Sequence, residues 1–212
     1  MIELASILLH DTIALITILN PLAAAGIMIS MIAGVTPAVV RPIAKKAALT
    51  VFIASLITLY SGELVFKFFG INVLSLKVIG GIFLLTIALN MASGHSSKTR
   101  QTAEEKDEAT DKDDVSVVPL GIPILFGPGV IATIIVLNHN LSQDFTTMTS
   151  YGVITVSIFF SSIIVYMTLR YASAINGALG ITGMKILTRI MGLIVGAIAV
   201  QFIIGGVKGL WV

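Results

Sequence analysis

The chain has 212 residues, of which 56% are hydrophobic and only 11% are charged, and its mean hydropathy is +1.02. A soluble domain of this length with so little charge would expose too much apolar surface to stay dispersed in water. The small net charge of +2 and the absence of cysteine argue against nucleic-acid binding, disulfide bonds and thiolate chemistry. We therefore expect an all-α polytopic membrane protein.

Apolar segments with few charges recur along the chain. Each is about as long as the roughly 20 residues that a helix needs to cross a bilayer. In chain order these segments lie within 11–41 and at 47–66, 71–92, 115–137, 145–169 and 190–207. They predict six transmembrane helices.

The first apolar segment is too long for one straight transmembrane helix. From Ile2 to Ala33 it would measure about 48 Å at ~1.5 Å per residue. Asn20-Pro21 stands near its centre. Proline removes a backbone donor and disfavours helical geometry in the residue before it. The sequence therefore predicts a helix break within 17–26.

A single strongly polar stretch, residues 93–114, separates the third apolar segment from the fourth. It contains seven acidic residues and almost no large apolar side chain, as expected of a flexible loop. It divides the chain into two three-helix units, residues 1–92 and 115–212. With six spans, ten Lys and Arg residues fall on the side of this loop and three on the other. This bias predicts a cytoplasmic loop and termini outside.

The fourth apolar segment contains the strongest helix-breaking signal. Three prolines and three glycines occur in the twelve residues from Val118 to Gly129. Irregular backbone at membrane depth is tolerated only where protein or a watery cavity surrounds it. Proline suits a first helical turn, so a new helix is expected to begin at Pro128. Its free N–H groups would attract a carboxylate or another anion.

The two breaks together predict a substrate site. The backbone amides on both sides would bind the carboxylate of a zwitterion, and Asn20 would accept its ammonium group. The expected substrate-binding residues are Asn20, Pro21, Ala23, Gly26, Gly121, Pro123, Gly127, Pro128 and Gly129. The alternative is that these residues only kink helices for packing.

The two halves of the chain resemble each other. Residues 76–91 align without gaps on 187–202, and Gly70-Ile71 recurs as Gly180-Ile181. Asn20-Pro21-Leu22 similarly recurs as Val118-Pro119-Leu120. Three spans per half is an odd number, so the halves would enter the membrane from opposite faces. Inverted repeats with a broken first helix are typical of secondary transporters that bind substrate near the midplane.

Four polar side chains inside apolar segments are further candidates. Asn90 and Gln201 occupy matching positions in the repeat, where they would line a cavity or bond between helices. Asp11 and Glu63 are candidates for proton coupling, with contact to the head groups as the alternative. The glycine-rich third and sixth helices are expected to pack against each other or against a second copy of the chain.

Enzymatic chemistry is not indicated. The sequence contains no His-Glu-x-x-His, Gly-x-Ser-x-Gly or phosphate-binding Walker motif. His10, His95 and His139 are scattered along the chain, which argues against a zinc site. We expect no catalytic residue, no metal and no cofactor.

At the breaks and in the repeat, the sequence resembles the MarC family of inner-membrane proteins. The resemblance rests on Asn20-Pro21-Leu22, on Val118 to Gly129, on Gly80 to Met91 and on Met191 to Gly206. It extends over nearly the whole chain except the polar loop. Many members have glycine and proline shortly after Asn-Pro-Leu, where this chain has Ala23 and Gly26.

The resemblance implies six spans, a cytoplasmic-membrane location, transport of small neutral amino acids such as glycine or alanine, and coupling to the proton gradient. The leading hypothesis is therefore an alternating-access transporter whose partners are a small neutral amino acid, a proton and the lipid bilayer. The alternatives are a non-transporting scaffold that binds partners through its acidic loop, and an exporter or channel for another small solute.

Overall fold

The computed structural model of the chain describes residues 2–31, 36–93 and 120–211, and every regular element in these ranges is helical. The elements in chain order are α1 (Ile2–Leu19), α2 (Pro21–Met31), α3 (Pro37–Phe68), α4 (Val73–Ala92), α5 (Pro128–Asp144), α6 (Thr147–Arg170) and α7 (Ala172–Trp211). A short distorted helical segment, Leu120–Leu125, precedes α5. The predicted polar loop, apart from Ser93, and the motif residues Val118 and Pro119 lie outside the described residues.

Five helical stretches are long and apolar enough to cross a membrane, which confirms an all-helical polytopic protein in the described ranges. These stretches are Glu3–Met31, Ala38–Phe68, Val73–Ala92, Thr147–Arg170 and Thr182–Trp211. The fourth predicted segment is not among them, because its prolines and glycines leave a continuous helix of only 17 residues, α5. The predicted number of six crossings therefore stays a prediction.

The helix α5 lies at the centre of the bundle. It contacts α1, α3, α4 and α6. Eight consecutive residues, from Ala132 to His139, include seven that are buried, and Ile134 and Val136 are fully enclosed. A helix that is buried on all sides needs apolar residues around its whole circumference, as this one has. The surrounding helices instead expose large apolar side chains outward, for example Leu64 and Leu193.

The closest helix packing joins α4 to α7. A β-carbon on Gly81 would lie 2.8 Å from the carbonyl oxygen of Ala199, and one on Gly206 would lie 2.8 Å from that of Leu74. Glycine lets the two backbones approach this closely, which is the usual way that membrane helices gain packing energy. The expectation that the third and sixth helices pack against each other is confirmed.

The first helix breaks at Asn20, within the predicted range. Asn20 has φ +45°, in the left-handed region that asparagine tolerates better than most residues. Its side-chain oxygen accepts a hydrogen bond from the Ala23 N–H at 3.4 Å, so it caps α2. Pro21 is the first residue of α2, where its missing N–H costs nothing.

The second break separates the distorted segment from α5. Ile122 is extended, with φ −132° and ψ 125°. Gly127 is also extended, and α5 begins at Pro128, as predicted. Both breaks therefore restart a helix with proline in its first position, after Asn20 in one half and after Gly127 in the other.

The helix α7 contains a further break, at Gly180, where φ is +63°. The transmembrane stretch begins just after it, at Thr182, so the sequence-based start at 190 was too late. That boundary had been drawn at Lys185 and Arg189, whose side chains are exposed and do not interrupt the helix. Long basic side chains can reach the head groups from within a helix, which explains the error.

We expect Gly81→Ala to destabilise the protein by about 1–3 kcal/mol, because the added methyl group would meet backbone atoms of α7 that cannot move aside. The matched control is Gly152→Ala on α6, where nothing lies within 4 Å of the added carbon. Thermal unfolding in detergent would measure both variants. Equal stability of the two would show that the α4–α7 approach is looser than described.

We expect Asn20→Ala to lower the free energy of unfolding by about 1–2 kcal/mol, because alanine loses the cap and is strained at positive φ. Asn20→Gly should retain more stability, since glycine adopts this backbone freely. The same unfolding assay compares them. An alanine variant as stable as the glycine variant would contradict a strained backbone at this break.

Candidate functional site

The two helix breaks adjoin each other in the bundle. The helix before the first break, α1, packs against the helix after the second, α5. The helix after the first break, α2, in turn packs against the segment 120–125 that precedes the second. This crossing brings the candidate substrate residues of the two halves into one region.

At the first break the polar groups are partly engaged. The Asn20 side-chain nitrogen donates to the sulfur of Met91 at 3.5 Å, and its oxygen accepts from Ala23. The backbone N–H of Ala24 donates to the Asn20 carbonyl at 3.2 Å. Within the described residues the Leu22 N–H has no backbone partner outside its helix and lies too near the helix start for one inside it. This N–H and the free lone pair of Asn20 are the groups left for a ligand.

At the second break the first turn of α5 presents a matching donor. The N–H groups of Val130 and Ile131 both donate to the Gly127 carbonyl, at 3.0 and 3.3 Å. The N–H of Gly129 has no such partner within the described ranges, and Pro128 has no N–H. Each break thus offers one backbone donor at the positive end of a helix.

The glycines at the second break differ from one another in their surroundings. Gly129 is buried, and a β-carbon there would lie 2.7 Å from the Leu84 side chain. Its small size therefore serves packing against α4 rather than approach of a ligand. Gly121 is also buried, whereas Gly127 is partly exposed and Pro128 is exposed. Gly127 and Pro128 therefore remain accessible at the second break.

At the first break, Ala23 and Gly26 are both partly exposed, and Pro21 is buried. A β-carbon on Gly26 would meet only the end of Met184, at 3.9 Å, so this position has room. The side chain of Pro123 is outside what the structure describes.

The two breaks lie at different depths. Asn20 contacts Met91 near the C-terminal end of α4, whereas Gly129 lies against Leu84 and next to Ile87. These contacts are four to seven residues apart on α4, which corresponds to about 6–10 Å along the bundle axis. A ligand that used both donors would therefore lie obliquely to the membrane plane.

Asp11 lies inside the bundle. It is only 4% exposed, so of the two roles predicted for it, proton coupling suits this position better than contact with the head groups. The next residue, Thr12, accepts a hydrogen bond through its carbonyl oxygen from Ser161, in the central part of α6. His10 Nδ1 lies 3.0 Å from the Asp11 carboxylate, and the His10 side chain is largely exposed. The adjacent residues therefore pair, with one member inside the bundle and one outside.

A seam of buried hydroxyl groups lies between α1 and α6, beside the turn of α1 that carries Asp11. Ser157 and Ser161 are almost completely buried, and each donates to a carbonyl one turn back in α6. The Thr12 hydroxyl is buried and has no partner in the described part of the chain. No motif in the sequence marks this seam. The spacing of four residues places the two serines on one face of a helix, but it does not show which neighbouring helix that face meets.

Glu63 lies at the far end of α3 and is partly exposed. Its carboxylate accepts from Lys67 at 2.8 Å and from the Tyr151 hydroxyl at 3.5 Å. With Asn138 and His139 it borders a cavity of about 10 Å³, room for one water molecule at most. Glu63 is thus a surface ion pair and lies apart from the helix breaks.

Asn90 and Gln201 are both exposed on the outside of the single chain. Neither borders the cavity at Glu63, so their role as cavity-lining amides stays a prediction. Neither bonds to a neighbouring helix within the described residues.

Comparison with known proteins agrees with this architecture. The sequence profile of the MarC family of integral membrane proteins matches residues 5–211. The membrane protein YvbG of Bacillus subtilis is 35% identical over 207 residues, which cover 97% of this chain and 96% of the relative. YhcE of Escherichia coli is 33% identical over 202 residues, covering 94% and 91%. MJ1677 of Methanocaldococcus jannaschii is 33% identical over 196 residues, covering 92% and 93%.

These relatives are named as UPF0056 membrane proteins, and the names state no substrate. No solved structure matches the chain. The matched profile extends through both helix breaks and all the described helices. The chain therefore belongs to the MarC family of integral membrane proteins.

Proposed function

We propose that the protein is a secondary transporter of small neutral amino acids such as glycine and alanine, working by alternating access. The observation that carries this proposal is the adjoining pair of helix breaks, each with a proline-initiated helix and a free N–H. Such donors suit the carboxylate of a zwitterion, and the lone pair of Asn20 suits its ammonium group. In this reading no bond of the solute is broken, and no cofactor is needed.

In our proposal the two halves form an inverted repeat, which suits this mechanism. The left-handed glycines Gly70 and Gly180 are 110 residues apart, and α3 and α6 begin at Pro37 and Thr147, again 110 residues apart. Equivalent helices pair with each other, α3 with α6 and α4 with α7. The contacts of α1 with α6 are matched by those of α5 with α3. In our proposal the segment 120–125 and α5 form the broken fourth crossing.

Charge supports one orientation in a bacterial-type cytoplasmic membrane. Arg41 and Lys45 near the start of α3 are exposed, as are Lys185 and Arg189 near the break in α7. The Arg170 guanidinium at the end of α6 donates to the Tyr166 hydroxyl at 3.1 Å, and Tyr166 interacts in turn with Arg41. We propose that this basic end is cytoplasmic, together with the loop at 93–114, and that both termini are outside.

We propose proton coupling through Asp11 rather than Glu63. A carboxylate inside a membrane bundle is costly and is retained mainly for function. Asp11 is buried next to the contact of α1 with Ser161 of α6, and it pairs with an exposed histidine, which would give protons a path to water. The charge of Glu63 is balanced by Lys67 at the surface. Such an ion pair is ordinary at the end of a helix and requires no role in coupling.

The first test is counterflow of radiolabelled glycine and alanine in proteoliposomes. We expect saturable counterflow, and we expect Gly127→Val to reduce it at least about tenfold, because a branched side chain would cover the first turn of α5. The extended backbone at Gly127 accommodates valine, unlike the packed Gly129. Gly152→Val, on the open surface of α6, is the control.

Absence of counterflow from folded protein would reject amino acid transport and favour another solute or a scaffold role. Flux that never saturates would indicate a channel. Full activity of Gly127→Val would remove the second break from the site.

The coupling proposal predicts that Asp11→Asn retains counterflow but loses its acceleration by a proton gradient, because an amide cannot bind and release a proton. Glu63→Gln should keep the acceleration. Uptake would be compared with and without an imposed pH difference in the same vesicles. Acceleration that survives in Asp11→Asn and disappears in Glu63→Gln would reverse the assignment.

A further inference from the structure

Gln201 lies on the side of α7 that faces away from the bundle. The buried face of α7 that packs toward α4 is formed by Gly192, Val195, Ala199, Phe202 and Gly206. At about 100° per residue, Gln201 points roughly 140° away from the centre of that face. Its neighbours on the outward face are apolar and exposed, including Leu193, Ala197 and Ile204.

Contacts between α4 and α7 give the depth of this amide. A β-carbon on Gly81 would lie 2.8 Å from the Ala199 carbonyl oxygen and 2.7 Å from the Ile203 side chain. Gln201 is therefore level with Gly81. Along α4, Gly81 is about 12 Å from Val73 and about 16 Å from Ala92, at ~1.5 Å per residue. Because Val73–Ala92 is apolar and long enough to cross a membrane, we place the amide within the hydrocarbon core.

Other outward-facing polar groups at this surface are satisfied. The Thr86 hydroxyl donates to the Ile82 carbonyl at 3.0 Å within its own helix. Asn90 is two residues from the end of α4, so it can reach the polar interface. Gln201 neither bonds to its own helix nor stands near a helix end, and no other residue in the described ranges bonds to it. An amide exposed to acyl chains without a partner is costly.

We propose that the outward face of α7 is an interface between two copies of this chain, in which the two Gln201 amides pair with each other. Copies inserted in one orientation place Gln201 at the same depth, and a two-fold axis normal to the membrane brings equal positions together. Each amide has a donor and an acceptor, so the pair is reciprocal. Ala197, one turn away, is small enough to allow close helix approach.

A second copy fits this face better than a lipid or a charged partner. Acyl chains offer no hydrogen bond. The residues of α7 within one turn of Gln201 are uncharged, and the basic side chain of Lys77 on α4 lies beside Gly205, one turn away. Self-pairing needs no complementary surface elsewhere on the chain. The proposal is independent of the transported solute, so its outcome does not depend on the proposed function.

The natural sequence has no cysteine, so single cysteines report proximity cleanly. Ala197→Cys and Ile204→Cys would be introduced separately into the full chain, reconstituted in liposomes and oxidised. Ile57→Cys on α3, where the native side chain is 61% exposed, is the matched lipid-facing control. We expect dimers to form by disulfide bonding at Ala197→Cys and Ile204→Cys, well above the yield at Ile57→Cys.

The role of the amide is tested in the same cysteine backgrounds. Gln201→Leu suits a lipid-facing position and should not disturb folding, which thermal unfolding would verify. We expect it to weaken dimerisation about tenfold when the protein is diluted in lipid. Gln201→Asn should retain part of the association. Fluorescence energy transfer between labelled copies measures both.

Three outcomes would overturn the proposal. One is a crosslinking yield at Ala197→Cys no greater than at Ile57→Cys. Another is dimerisation that is equally strong in Gln201→Leu. The third is crosslinking only to a chain of different mass in native membranes, which would assign the face to another membrane protein.

Discussion

Backbone hydrogen bonding in a medium without water is the constraint on which this structure depends. Inside a bilayer each N–H and C=O must find a partner within the protein, and helices achieve this locally. Any residue whose backbone is not helical must therefore be enclosed by protein or must face water. The irregular residues at Asn20 and between Leu125 and Pro128 lie where α1, α2, α5 and the segment before α5 meet. The same enclosure makes them candidates for binding, because their free donors have no competing solvent.

The arrangement of the outer helices follows from how closely backbones can approach. Glycines at 81, 192 and 206 bring α4 and α7 into contact through main-chain atoms. The α3–α6 pair is held differently, through aromatic contacts such as the stacked rings of Tyr60 and Tyr151 at 5.3 Å. A close, small-residue contact and a bulkier aromatic contact thus flank the central helix. Since α4 and α7 belong to different halves, movement of one half against the other would have to displace this glycine contact as well as the aromatic one.

Polar groups at membrane depth divide into three kinds. Those at the breaks are backbone donors and an asparagine, suited to a dipolar solute. Those between α1 and α6 are a carboxylate and hydroxyls enclosed by protein, suited to a proton. Gln201 faces outward, suited to a second copy. Each kind occupies its own place, so the proposed solute binding, proton coupling and self-association can be tested separately.

Local chemistry written in the sequence was sufficient for the membrane class, the helices α4 and α6, and the positions of both breaks, whereas α3 begins at Pro37, ten residues before the predicted segment. Asn20-Pro21 and Gly127-Pro128 act on their own backbone, so no distant residue is needed to place a break there. The packing role of Gly129 depends on Leu84, 45 residues earlier, and could not be read from the motif. The enclosure of Asp11 depends on α6, and the exposure of Gln201 depends on which face of α7 meets α4. Burial and depth are properties of helices packed together, and only the tertiary structure decided them.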